Sequence, residues 1–143
     1  MMNVVIAVDG SQNALEAVRH GAKLAAANPD IRLHLVNVQP PLPAAAARFV
    51  ARDTLHSFHQ EEGQKVLAQA RALLDESKVP YEIHIAVGNP AEAIAAYAVE
   101  HKADQIVMGT RGLGSLAGLI LGSVATRVLH LAKVPVTLIP TRR

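Results

Sequence analysis

The residues best suited to chemistry sit in one stretch, Gly109-Thr110-Arg111-Gly112 through Gly118 to Gly122-Ser123-Val124, which holds five of the nine glycines in the chain. Glycine lets a backbone take positive φ and lets a ligand approach with no Cβ in the way. Consecutive N–H groups in such turns form concavities that hold anions. Gly122-Ser123 opens a helical pattern, so free N–H groups, the positive end of the helix dipole and the Ser123 hydroxyl all suit a phosphate. The chemistry implied is phosphate binding by main-chain amides, with Arg111 as a local cation. A second candidate lies near the N-terminus, where Val8-Asp9-Gly10-Ser11 ends an apolar run with a carboxylate and a turn. Asp9 is suited to cap that turn, to touch a ligand, or to do both.

Two familiar phosphate motifs fail. A Walker A loop requires Gly-Lys, and the chain has no Gly-Lys pair. Gly112-x-Gly114-x-x-Ala117 imitates a dinucleotide fingerprint, but it follows the fourth strand and no acidic residue comes after it. His56 and His59, three apart on a helix, make half of a metal site with no evident third ligand. His34 and His84 fall on the second and third strands as candidate cross-strand neighbours, where packing or surface roles suffice.

The elements that must position these groups alternate regularly. Val4–Val8 is a short apolar run, as in a strand buried on both faces. Ser11 caps a helix to about Ala27 with a stripe of Ala14, Leu15, Val18, Ala22 and Ala25. Ile31–Val38 is a second strand, and Gln39 to Pro43 is a loop because three prolines cannot continue a ladder. Helical spacing runs from about Ala45 to Ser77, with a kink or split expected near Thr54 or Gly63. Tyr81–Val87 alternates apolar with polar, the mark of a sheet edge. Asn89 caps a helix with Pro90 at its first position, ending near His101-Lys102. Asp104–Met108 is the fourth strand, Ser123–Ala132 a helix, and Val134–Ile139, flanked by Pro135 and Pro140, another edge.

This β-α repeat predicts one α/β domain over residues 1–143, a parallel sheet with helices on both faces. Ligands of such sheets sit beyond the carboxyl ends of the strands where strand order reverses. Strands one and four are the expected central pair, which brings Asp9 and the Gly109 turn to that point.

Composition narrows the rest. The chain has 143 residues, no cysteine, 3% aromatic residues and a formal charge of +2. The absence of cysteine excludes disulfides and thiolate chemistry. The few aromatics and scattered charges, with only Arg142-Arg143 paired at the end, argue against nucleic acid as a partner. No apolar run reaches the roughly 18 residues of a membrane span, and the N-terminus lacks a signal-peptide pattern, so a cytoplasmic protein with no membrane partner is expected.

With these residues in view, the chain resembles the universal stress proteins, specifically their ATP-binding branch. That branch carries Gly-x2-Gly-x9-Gly-Ser/Thr, and Gly109, Gly112, Gly122 and Ser123 fit the spacing. Val4-Val5-Ile6-Ala7-Val8-Asp9-Gly10-Ser11 is similar to the family's opening strand and acidic turn, and Val134–Ile139 to its closing strand. The resemblance implies a Rossmann-like, adenine nucleotide alpha hydrolase-like sheet of five strands in the order 3-2-1-4-5. It implies ATP with magnesium as the ligand, Ala7, Val8 and Asp9 beside the adenosine, and Asp9 near the ribose or a metal-bound phosphate. Val38 and Met108 would line the base pocket; Gly109, Arg111 and Gly112 would hold ribose and phosphate, and Gly122, Ser123 and Val124 the phosphates. It also implies a homodimer through Val134–Ile139 and a stress-responsive regulatory role with little or no hydrolysis. A slow ATPase or other nucleotide enzyme, and a structural dimer without nucleotide, are the alternatives. The chain departs from the family in the proline- and alanine-rich Gln39–Arg48 loop, which varies widely among members.

Overall fold

The computed structural model describes residues 1–112 and 121–141. The Gly114 and Ala117 positions of the dinucleotide-like motif, Gly118, and the Arg142-Arg143 pair lie outside the described residues. Strand β1 (Met2–Ala7) leads into helix α1 (Gln12–Ala27) and strand β2 (Ile31–Gln39). A short α2 (Ala44–Ala47) and a long α3 (Arg52–Ser77) precede β3 (Tyr81–Val87) and α4 (Pro90–Glu100). Then come β4 (Gln105–Gly109), α5 (Ser123–Leu131) and β5 (Val136–Ile139). All pairings are parallel and the order is β3-β2-β1-β4-β5, so β1 and β4 are neighbours and β3 and β5 are edges, as the hydropathy patterns predict.

Alternation along the central strands builds two apolar layers, because successive strand residues face opposite sides. Val4, Ile6 and Val107 pack under α1 and α3 with Leu15, Val18, Leu67 and Leu74. Val5, Ile106 and Met108 pack under α4 and α5 with Ile94, Tyr97 and Val128. The sheet is therefore covered on both faces. Helices α1 and α4 have the caps expected from the sequence: Ser11 Oγ accepts from the Ala14 N–H at 3.1 Å, and Asn89 Oδ1 from the Glu92 N–H at 3.4 Å.

Boundaries differ from the sequence reading by a residue or two at β1, which runs Met2–Ala7 and not Val4–Val8, and at β4, which runs Gln105–Gly109 and not Asp104–Met108, and three further differences have a visible physical reason. The expected helix from Ala45 to Ser77 is two helices, and the break falls at residues 48–51, ahead of both Thr54 and Gly63. Helix α2 buries no residue, so nothing but propensity extends it, and short unpacked helices are marginal. Gly63 lies inside α3 without a break because its missing Cβ makes room for Ile85, whose Cγ2 would stand 2.6 Å from one. Strand β2 continues through Gln39, whose carbonyl accepts from the Gly88 N–H at 3.0 Å. Strand β5 starts at Val136, since Pro135 has no N–H to give the ladder; its carbonyl still accepts from Ile106 N at 3.0 Å.

The histidines also find their places. His56 is exposed, while His59 is buried and neither of its ring nitrogens has a partner among the described residues. Among the described residues no group of three or more potential ligands is placed to hold a metal ion. His34 and His84 are not directly opposite, because His34 pairs with Glu82 and His84 with Val36, but both rings reach Tyr97, at 5.7 and 4.7 Å between centroids.

Candidate functional site

The carboxyl ends of β1, β2 and β4 and the start of α5 enclose a cavity of about 500 Å³, within the usual range for small-molecule sites. Its position follows from topology. The chain leaves β1 toward α1 on one face and leaves β4 toward α5 on the other, so a crevice opens between two adjacent strands. All eleven residues singled out from the sequence line it: Ala7, Val8, Asp9, Val38, Met108, Gly109, Arg111, Gly112, Gly122, Ser123 and Val124.

The turn after β1 is set by Gly10, whose φ of 90° is a conformation that residues with side chains rarely adopt. That turn folds back so that Asp9 Oδ1 accepts from the Ser11 N–H at 2.9 Å. Asp9 is therefore a turn cap, one of the two roles its position allows. It also stands against the glycine turn: a Cβ on Gly112 would collide with Asp9 Oδ2. Gly109 is equally tight, since a Cβ there would lie 2.5 Å from Cγ and Oδ1 of Asn13. Two of the motif glycines thus make room for the protein's own polar side chains, in addition to baring the backbone.

The glycine-rich connection is closed at its base. Thr110 N donates to Ile139 O at 3.1 Å, and Gly122 N donates to Thr110 O at 2.6 Å. This bond sets the start of α5 beside the end of β4. Gly122 is the N-cap of α5 with no side-chain cap, and Ser123 is the first helical residue. The first-turn N–H groups of a helix have no intrahelical acceptor and carry its partial positive charge. Arg111 adds a full charge, and its Nε is buried with no hydrogen-bond partner among the described residues. A buried donor left unmatched is costly, and an anion in the cavity is the natural acceptor.

The remaining wall is apolar, with Ala7, Val8, Val38, Ile94 and Met108, relieved by two buried polar side chains that sequence reasoning missed. Asn37 Nδ2 donates to Val8 O at 2.9 Å, and Gln39 Nε2 donates to Asn37 Oδ1 at 2.7 Å. Asn37 was visible as the one amide inside the apolar run Ile31–Val38. Gln39 was hidden because the prolines after it made the position look like loop. Pro40, Val66 and Pro90 complete the rim. The arrangement offers an apolar slot and an anion-suited turn within one crevice. Asp9 and Arg111 are the ionisable residues among its described lining.

A model of the universal stress protein family matches residues 1–140. A universal stress protein of Thermus aquaticus, in the 3′ region of a QAH/OAS sulfhydrylase, is 39% identical over 137 residues, covering 95% of this chain and 96% of its own length. One from Methanocaldococcus jannaschii is 35% identical over 140 residues, covering 95% of this chain and 80% of its own. Among solved structures, a universal stress protein in complex with cAMP superposes with a TM-score of 0.72 at 29% identity, covering 96% of each chain.

Proposed function

The chain belongs to the universal stress protein family, and from that premise we propose that it is an adenine-nucleotide receptor, a regulatory module of the stress response that takes ATP with magnesium in the crevice between β1 and β4. The observation that carries this reading is the unmatched Arg111 Nε in a cavity that the N-terminus of α5 and an apolar wall also line. The structure of a relative with cAMP supports the choice of an adenine nucleotide. Arg111, Gly112 and the α5 amides would hold phosphate; Val38, Ile94 and Met108 would hold the base; Asp9 would face the ribose or a phosphate-bound magnesium ion.

The protein acts by binding, with little or no hydrolysis. Phosphoryl transfer to water needs a group that positions the water and a charge on the transferring phosphoryl. The described lining offers one carboxylate, already engaged by the Ser11 N–H, and no histidine. The second partner in this reading is another copy of the chain along the β5 edge, whose four residues are only half-buried beside β4.

Calorimetric titration with ATP, ADP, AMP and cAMP, with and without magnesium, tests the reading. Ligand at 100 times its Kd should raise folding stability by about 2.7 kcal/mol. A chain that takes up none of the four at millimolar concentration is not a nucleotide receptor.

A further inference from the structure

Asn13 does not line the cavity, yet its side chain makes three hydrogen bonds to segments that build it. It sits in the first turn of α1 and is 5% exposed. Its Oδ1 accepts from the Arg111 N–H at 2.9 Å and, at 3.5 Å, from the Thr110 hydroxyl. Its Nδ2 donates to Ile139 O at 2.9 Å, the same carbonyl that accepts from Thr110 N. Thr110 in turn accepts from Gly122 N through its own carbonyl. One side chain on α1 therefore joins the glycine turn after β4, the last residue of the edge strand β5 and, through Thr110, the start of α5.

We propose that Asn13 is the positioning residue of the crevice: it fixes the Arg111 turn from behind and ties the phosphate-facing half of the site to the end of β5. The proposal rests on the nucleotide reading for its ligand and goes beyond it in naming what holds the turn and what the turn is coupled to. The chemistry requires an amide. One planar fork must offer an acceptor to an N–H and a donor to a carbonyl. Aspartate lacks the donor, leucine lacks both, and serine is too short for both. Gly109 belongs to the same device, because any side chain there would evict the amide. Movement of Ile139, by a partner strand along β5, is transmitted to the Arg111 backbone through two hydrogen bonds. Occupancy of the crevice and engagement of the edge strand thus become linked equilibria.

The test uses the full chain and two ligands that differ only in phosphate, AMP and adenosine. Asn13→Ala should weaken AMP about tenfold, the fold-change that one lost hydrogen bond supplies, and leave adenosine within about twofold. Amide hydrogen exchange should show the Arg111 N–H losing protection in Asn13→Ala and keeping it in Asn13→Asp, which retains the acceptor. If Asn13→Ala does not fold, Asn13→Ser replaces it with the same expectations. Equal weakening of AMP and adenosine, or Arg111 exchange unchanged from the parent, overturns the proposal. A parent chain that binds neither ligand removes the nucleotide reading instead, and the Arg111 exchange then decides the positioning role alone.

Discussion

Two regions of the molecule treat buried polar groups in opposite ways. Under α4, His34 is held in a closed circuit: its Nδ1 lies 2.8 Å from the Tyr97 hydroxyl and its Nε2 lies 3.1 Å from Asn3 Oδ1. With the proton on Nε2 toward Asn3, Nδ1 accepts from Tyr97, and Glu82 Oε2 lies 3.4 Å from the same Nδ1. At the carboxyl end of the sheet, Arg111 keeps a buried Nε without a partner among the described residues. His59 is also buried with unmatched ring nitrogens, but it lies outside the cavity lining, whereas Arg111 stands in a cavity with room for an acceptor. The conjunction of an unmatched donor and a cavity marks where matching is left to something else, and the circuit under α4 marks where only stability is at stake.

The strongest way to break this contrast is to fill the open region. Gly122 has φ −75° and ψ 166°, extended backbone that any residue adopts, so Gly122→Val carries no conformational penalty. Its methyls would occupy the start of α5, and nucleotide affinity should fall by about a hundredfold or more, roughly 2.8 kcal/mol, against a smaller folding cost of about 1 kcal/mol for a poor N-cap at a buried position. Calorimetry and a thermal melt on one sample check both halves. A large drop in melting with affinity preserved would show that the residue serves packing alone.

Opening the closed region comes next. Tyr97→Phe removes the hydroxyl and strands His34 Nδ1 in a buried position, which should cost about 1–3 kcal/mol of folding stability in denaturant titration. Nucleotide affinity should stay within about twofold, since Tyr97 does not line the cavity. The converse change at the open region is Arg111→Ala. It deletes a donor that has no partner, so stability should hold or rise slightly, while AMP affinity falls about tenfold and adenosine affinity does not. If Arg111→Ala destabilises as much as Tyr97→Phe, the distinction between the two regions is lost.

The two regions were not equally legible in the sequence. Strand identity, edge position and the glycine turn could be read because they depend on local quantities: alternation, proline placement and glycine spacing each report on the backbone at that position. The crevice followed from topology, since a reversal between β1 and β4 fixes which strand ends meet. The polar circuits could not be read. Asn13 bonds to a carbonyl 126 positions away and Asn37 to one 29 positions away, and nothing local distinguishes such an amide from a solvated one. The break between α2 and α3 was hidden for a related reason. Helical spacing passes through residues 48–51, and only the lack of anything for α2 to pack against decides the matter. For His34 and His84 the sequence allowed a packing or a surface role, and what they pack against came only with α4, which brings Tyr97 and His101 to them with those two rings stacked at 3.8 Å.

The smallest expected effect is also the one that separates the regions by pH. Burial lowers the pKa of His34 from the ordinary histidine value, His101 and Arg32 lower it further, and the nearby Glu82 opposes them without reversing the direction. Burial lowers His84 as well, aided by His101 and opposed by Glu100. A group whose folded pKa is depressed takes up its proton more readily in the unfolded chain. Its contribution to stability is therefore complete above the ordinary pKa of about 6.5 and is lost as the pH falls through the window below it. The ceiling is about 1.4 kcal/mol per pH unit for one buried histidine, and the exposure of His84 keeps its share smaller. Denaturant unfolding at pH 7.5, 6.5 and 5.5 should show stability declining by about 1 kcal/mol or less across that range, with His34→Gln flattening the slope. Adenosine affinity should not follow the same curve, because no histidine lines the described crevice. A flat stability profile, or a slope untouched in His34→Gln, would mean that the circuit under α4 is not the closed, neutral arrangement its geometry describes.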